Sequence, residues 1–163
     1  PTARVHITPL LDFSNTLPKN VLRRCREMSQ QPENEGLVLI GYGDETYDKE
    51  WGELFSQVAD YVTEHIGIDE HSYGWCGHIV RYSSDETTKA INAVLETKDV
   101  ALVVPVLVAY DEMFQKNIIG RGIAQSAGGG ARVLYQADAI LHDDDVDHWI
   151  ISISGAYAAN LAA

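Results

Sequence analysis

Two apolar runs constrain this chain more than anything else in it. Leu37-Val38-Leu39-Ile40 stands between Gly36 and Gly41, and Val100-Ala101-Leu102-Val103-Val104-Pro105-Val106-Leu107-Val108 follows later in the chain. Neither run alternates polar with apolar side chains, so neither can leave one face in water. Strands of this kind belong inside a parallel sheet covered on both sides by helices. Pro105, which has no N–H to give to a ladder, predicts an irregular or edge-facing backbone at that point.

The surrounding segments supply the helices. Residues 18–29 carry Val21, Leu22, Cys25 and Met28 at helical spacing, with Pro18 suited to the first turn. Residues 49–66 repeat Trp51, Leu54, Phe55, Val58, Tyr61 and Val62 at threes and fours. Ser83-Ser84-Asp85-Glu86 caps a helix bearing Ala90, Ile91, Val94 and Leu95 and ending near Thr97. Helices are also expected over 113–124 and over 145–161, the latter weakened by Gly155. Short strands are expected at 4–8, within 73–82 and at 131–134. The alternation implies one domain, 1–163, of α/β class: three layers, α/β/α, around a mostly parallel sheet of four to five strands. Ligands of such sheets sit at the carboxyl ends of the strands, which here means 42–48, 81–84 and 110–113.

Charge narrows the partners. Twenty-four acidic residues against 12 basic give a net charge of -12, which repels nucleic acid and anionic membranes. No apolar stretch is long enough for a membrane span, and the opening Pro1-Thr2-Ala3-Arg4-Val5-His6 lacks the marks of a signal peptide, so a cytoplasmic protein is expected. Cys25 and Cys76 are too few for a disulfide framework and form no Cys-x-x-Cys. Gly120-Arg121-Gly122 and Gly128-Gly129-Gly130 are read as turns, because neither follows a strand and opens a helix; no nucleotide or flavin is expected. A serine nucleophile elbow, Gly-x-Ser-x-Gly, does not occur.

Three segments in order carry a resemblance. Leu37-Val38-Leu39-Ile40-Gly41-Tyr42-Gly43-Asp44-Glu45 is a strand running into an acidic helix start. Val103-Val104-Pro105-Val106-Leu107-Val108-Ala109-Tyr110-Asp111-Glu112-Met113 is a Val-Val-Pro strand with its following loop. Ala139-Ile140-Leu141-His142-Asp143-Asp144-Asp145 leads into Val146-Asp147-His148-Trp149-Ile150. Over about 36–153 this pattern resembles the sirohydrochlorin cobaltochelatase family, and the opening Val5-His6-Ile7-Thr8-Pro9-Leu10 looks like the start of the second half of its two-domain members. The resemblance implies insertion of a divalent metal, cobalt or else nickel or iron, into sirohydrochlorin or a similar tetrapyrrole in cobalamin-type biosynthesis. It also implies a cleft completed by a second chelatase domain or by a homodimer. Tyr42 stands in the place of the family's first histidine and Met113 near its second. The second half of two-domain members commonly lacks those histidines.

Metal insertion needs a group that holds the ion and accepts pyrrole protons, and histidine does both near neutral pH. A tyrosine with an ordinary pKa of about 10 is a poor base, and a thioether takes no proton. Weak or absent insertion is therefore expected. Asp44, Asp111 and Glu112 are candidate oxygen ligands, with Glu45 and Asp48 close by, although acids at helix starts also serve the macrodipole. Arg81 and Tyr110 are candidate substrate contacts, and Lys116 and Arg121 could join Arg81 in offsetting the acids toward a polycarboxylate. Cys76 and His78, two apart on an expected strand, would share a face and could hold a soft metal or simply pack in the core. The run 142–148 is rich in ligand types but reads first as a capped helix start; His6 and His65 have no visible partners, and His71 is expected in a polar loop. Two other readings stay open: a non-catalytic binding or structural domain on the same fold, and a flavodoxin-like domain for another small ligand.

Overall fold

Both apolar runs are strands in the computed structural model, which describes residues 5, 7–11 and 13–161. The strands are β1 (Glu35–Gly41), β2 (Glu70–Trp75), β3 (Val100–Val106) and β4 (Val133–Tyr135). They form a single all-parallel sheet in the order β2-β1-β3-β4. β1 is buried at all seven positions and β3 at all but its first, as unbroken apolar composition requires.

The helices are α1 (Phe13–Met28), α2 (Asp48–Ile66), α3 (Asp85–Leu95), α4 (Gly120–Gln125) and α5 (Asp144–Leu161). Residues Leu37 and Leu39 of β1, with Leu102 and Val104 of β3, meet Leu17, Val21, Phe55, Val58 and Val62 from α1 and α2. Residues Val38 and Ile40, with Ala101 and Val103, meet Ala90, Ile91 and Val94 of α3 and the later Ile118 and Ile119. Each fully buried aliphatic side chain contributes roughly 1.5–3 kcal/mol. The central strand pair, which supplies such side chains to both cores, is therefore where stability is concentrated. The architecture is three layers, α/β/α, as the alternation implies.

Glu35, at the entrance to β1, is buried and accepts hydrogen bonds from Ser29 Oγ (2.5 Å) and from the amides of Gln30 (2.8 Å) and Gln31 (2.9 Å). One carboxylate thus closes the turn that delivers the chain from α1 to the sheet. From β1 the chain moves out through α2 to β2 and returns over the opposite face through α3 to β3. Right-handed crossovers in opposite directions must use opposite faces. β1 and β3 stay paired to their last residues, Gly41 and Val106, and the connections that leave them turn to opposite faces, which makes this edge the place where ligands of such sheets bind.

Several sequence expectations need correction. The strand expected at 4–8 is absent at Val5, Ile7 and Thr8, while Arg4 and His6 lie outside the described residues; Val5 and Ile7 are exposed. α1 starts before Pro18, which lies inside the helix rather than in its first turn. The strand sought within 73–82 is Glu70–Trp75, and the last strand is Val133–Tyr135 rather than 131–134. The helix expected over 113–124 begins as a π-helix, Met113–Ile119, and continues without a break into α4. Gly120-Arg121-Gly122 therefore lies in helix, not in a turn. Gly128, Gly129 and Gly130 do turn, all with positive φ.

Pro105 breaks nothing, and the register explains why. The Ala101 amide donates to the Arg132 carbonyl (2.9 Å), and amides along a strand alternate sides, so Pro105 faces the same side as Ala101. On that side β4 ends at Tyr135, opposite Val103. The missing N–H falls just beyond the last paired residue, while toward β1 Pro105 stays in register with Ile40. Among the described residues no helix is long and apolar enough to cross a membrane.

Candidate functional site

Aromatic rings gather where the chain leaves the carboxyl end of β1. Tyr42 follows β1 directly, and its ring lies 5.4 Å from that of His78 and 5.6 Å from that of Phe114, centroid to centroid. Tyr82 lies 6.2 Å from Phe114, with its hydroxyl oxygen 3.4 Å from that of Tyr42. Tyr42 and Tyr82 are 38% and 45% exposed, so this is an open shelf rather than a buried cluster. Met113 and Tyr110 are also exposed in the segment that follows β3, where Tyr110 lines a pocket with Asn20, Arg24 and Asp138.

Local backbone chemistry sets the shelf. Past Trp75 the chain stays tied to the β1 exit: the Cys76 amide donates to Gly41 O and the Gly77 amide to Tyr42 O, both at 2.9 Å. A Cβ on Gly77 would stand 2.3 Å from that carbonyl oxygen and 2.8 Å from the Tyr42 ring, so only glycine permits the approach. A single 3-10 turn, His78–Val80, follows and ends on Arg81 and Tyr82, both left-handed at φ 52° and 57°. Two such non-glycine residues in succession cost on the order of 1–3 kcal/mol each, and strain of this kind concentrates at functional sites. The turn holds Tyr82 toward Phe114. Among the described residues Arg81 has no ion pair or side-chain hydrogen bond.

On the other side the π-helix is pinned by Gln115, which is fully buried. Its Oε1 accepts from the Asp111 amide (3.0 Å), and its Nε2 donates to Ala109 O (3.3 Å) and Asp138 O (3.0 Å). Tyr135 donates its hydroxyl to the Gln115 carbonyl (2.6 Å). π-Helical turns recur at functional sites. Here the π-helix carries Phe114, whose ring meets those of Tyr42 and Tyr82.

The candidate site residues fall into two groups. Tyr42, Arg81, Tyr110 and Met113 belong to the carboxyl edge of the sheet. The acids have local duties: Asp44 accepts from the amides of Thr46 (2.8 Å) and Tyr47 (3.3 Å), and Asp111 from that of Met113 (2.8 Å). Glu112 pairs with Lys116 at 3.5 Å on the surface. Among the described residues no three His, Cys, Asp or Glu side chains gather as a metal group. The Tyr82 hydroxyl, and then partial burial, hold the Tyr42 phenol above its usual range, so it is not a ready base. The Lys116 ammonium is likewise held above its usual range, first by the Tyr110 hydroxyl and then by Glu112.

Cys76 and His78 do not share a strand face. Cys76 is fully buried, its thiol pushed up to about 12 by burial, while His78 is exposed on the shelf. The His78 imidazole thus stands beside Tyr42, on a different loop. Its only signal in the sequence was the Gly77-His78 pair after an aromatic strand.

The run 142–148 is structural in its central acid. Asp143 is buried and accepts from the Asp145 (2.8 Å) and Val146 (3.3 Å) amides, from Asn20 (2.6 Å) and from Arg23 (2.5 Å). Arg24 forms a two-point contact with Asp138 and reaches Asn20 Oδ1 at 3.3 Å. Burial alone would raise the Asp143 carboxyl, but the Asn20 and Arg23 hydrogen bonds outweigh it and hold the group below the usual carboxylate range. Comparison of the chain with protein-family models, with curated proteins and with solved structures finds no match.

Proposed function

We propose that the chain is a tetrapyrrole-binding domain of the chelatase kind, which seats a macrocycle such as sirohydrochlorin on the Tyr42 shelf and inserts metal weakly or not at all. The observation that carries this reading is the ring group at the point where the strand order reverses, in which Tyr42, His78 and Tyr82 are exposed and Phe114, half-buried against the core, backs them. A flat conjugated ligand gains about 0.5–1.5 kcal/mol from each well-placed aromatic contact beyond the area it buries. Arg81, without an ion pair among the described residues, is the cation available to its carboxylates, and Lys116 would have to leave Glu112 to join it. The open side of the shelf suits a second chelatase domain or a second copy covering the other face of the macrocycle.

Tyr42 and Met113 accept no proton near neutral pH, which argues against efficient insertion of cobalt, nickel or iron. Asp44, Asp111 and Glu112 would have to give up helix-start or ion-pair contacts to hold such an ion. His78 is the group at the shelf best suited to meet a divalent metal arriving as substrate. The acidic surface fits a cytoplasmic setting free of nucleic acid and membrane partners.

The test is anaerobic titration with sirohydrochlorin, with and without Co2+, followed by absorption. Saturable binding without metallation above the uncatalysed rate is expected. Rapid metallation would replace this reading with that of an active chelatase working through His78, and the absence of any spectral shift would remove the tetrapyrrole from consideration.

A further inference from the structure

Away from the shelf, α1 carries Lys19, Arg23 and Arg26 on its outer face, at i, i+4 and i+7. They line a groove between α1 and α2 of about 430 Å3, with Leu22 and Tyr61 as its apolar and aromatic lining and Glu27 as its one acid. Among the described residues Lys19 and Arg26 form no ion pair. Arg23 gives one nitrogen to Asp143 and remains 46% exposed.

This arrangement opposes the chain's own electrostatics. Like charges three and four apart on a helix repel. In a chain with 24 acids and 12 bases carboxylates are plentiful, and Arg23, Arg24, Lys49, Lys89, Lys98 and Lys116 each pair with one, whereas Lys19 and Arg26 pair with none among the described residues. Arg26 in the last turn answers the helix dipole, but Lys19 and Arg23 lie too far back for that. Guanidinium groups present flat forks to phosphate and carboxylate oxygens, and the groove has the size of a small-molecule site.

We propose that this groove binds a small polyanion, one carrying at least two phosphate or carboxylate groups, at a site separate from the Tyr42 shelf. The anion relieves the repulsion along α1, and its body lies against Leu22 and Tyr61.

The test is calorimetric titration of the full chain at low salt with pyrophosphate and, separately, with citrate. Saturable binding of one anion per chain is expected, weakening as salt rises, and the stronger of the two probes identifies phosphate or carboxylate as the favoured group. The double variant Lys19→Gln, Arg26→Gln should lower the affinity about tenfold or more, as loss of charge-assisted hydrogen bonds requires. Lys89→Gln on α3 should leave it unchanged. The proposal is overturned by no saturable heat at millimolar concentrations of either anion. It is equally overturned if the double variant binds as the parent does, or if Lys89→Gln weakens binding as much as the double variant. Circular dichroism establishes that the variants, altered only at exposed side chains, are folded.

Discussion

Two groups of side chains stand beyond the carboxyl edge of the sheet and differ in almost every respect. The Asn20, Arg23, Arg24, Asp138 and Asp143 network is tied together by charged hydrogen bonds, and Asp143 at its centre has four donors. The Tyr42, His78, Tyr82 and Phe114 group is open, has one long hydroxyl contact of 3.4 Å, and rests on two left-handed residues. A satisfied polar network makes a scaffold, because buried donors and acceptors cost free energy unless paired. Exposed rings on a strained turn lower stability and are intelligible as a surface kept for a ligand.

The largest effect that would sharpen this contrast is expected from Asp143→Ala. It removes the cap of α5 and leaves Arg23 without its acceptor and Asn20 with Ile140 O as its one acceptor, a loss of about 3 kcal/mol by denaturant unfolding, with ligand affinity of the folded fraction unchanged. The same carboxylate predicts a pH effect. Its folded pKa lies below its unfolded value, so its contribution is complete above the ordinary carboxylate range and is lost as pH falls through the folded value. Asp143→Asn should flatten that acid limb.

Tyr42→Ala should do the reverse. It should weaken tetrapyrrole binding about tenfold while moving stability by no more than about 1 kcal/mol, since the ring is half-exposed. A stability loss as large as that of Asp143→Ala would break the distinction between scaffold and surface. The smallest effect is expected from Arg81→Gly, which relieves the left-handed backbone and should raise stability by up to about 1 kcal/mol while reducing affinity for the carboxylated ligand a few-fold. Stability unchanged or lowered would show that the turn is not strained at that residue.

The regular elements were legible because their side chains report their surroundings directly. Leu37 to Ile40 and Val100 to Val106 could only be buried on both faces, and the Trp51 to Val62 spacing could only be a helix. What was illegible depends on contacts between distant residues. Nothing near Gly77 announces that the carbonyl of Tyr42 lies against it, so the sequence suggests more strand there, with Cys76 and His78 on one face, where the structure has a 3-10 turn. Asp143 read as one acid among several at a helix start; its partners Asn20 and Arg23 lie more than a hundred residues away. The π-helix left a trace in the spacing of Phe114, Ile118, Ile119 and Ile123, by fours and fives rather than threes and fours, which is too short a run to separate from an ordinary helix.

The bonds from Asn20 to Ile140 O and to Asp143 span 120 and 123 residues. In synthesis, α1 therefore emerges long before the groups that pin its polar side. β1 and β2, whose paired residues are only 34 apart, can already associate while α1 is held to them by its apolar face and by the Glu35 turn. The nascent chain must keep that helix docked, or shielded, until the segment around Asp143 arrives to lock it, so this late clasp marks the step at which a slow or truncated translation product would differ from the finished protein.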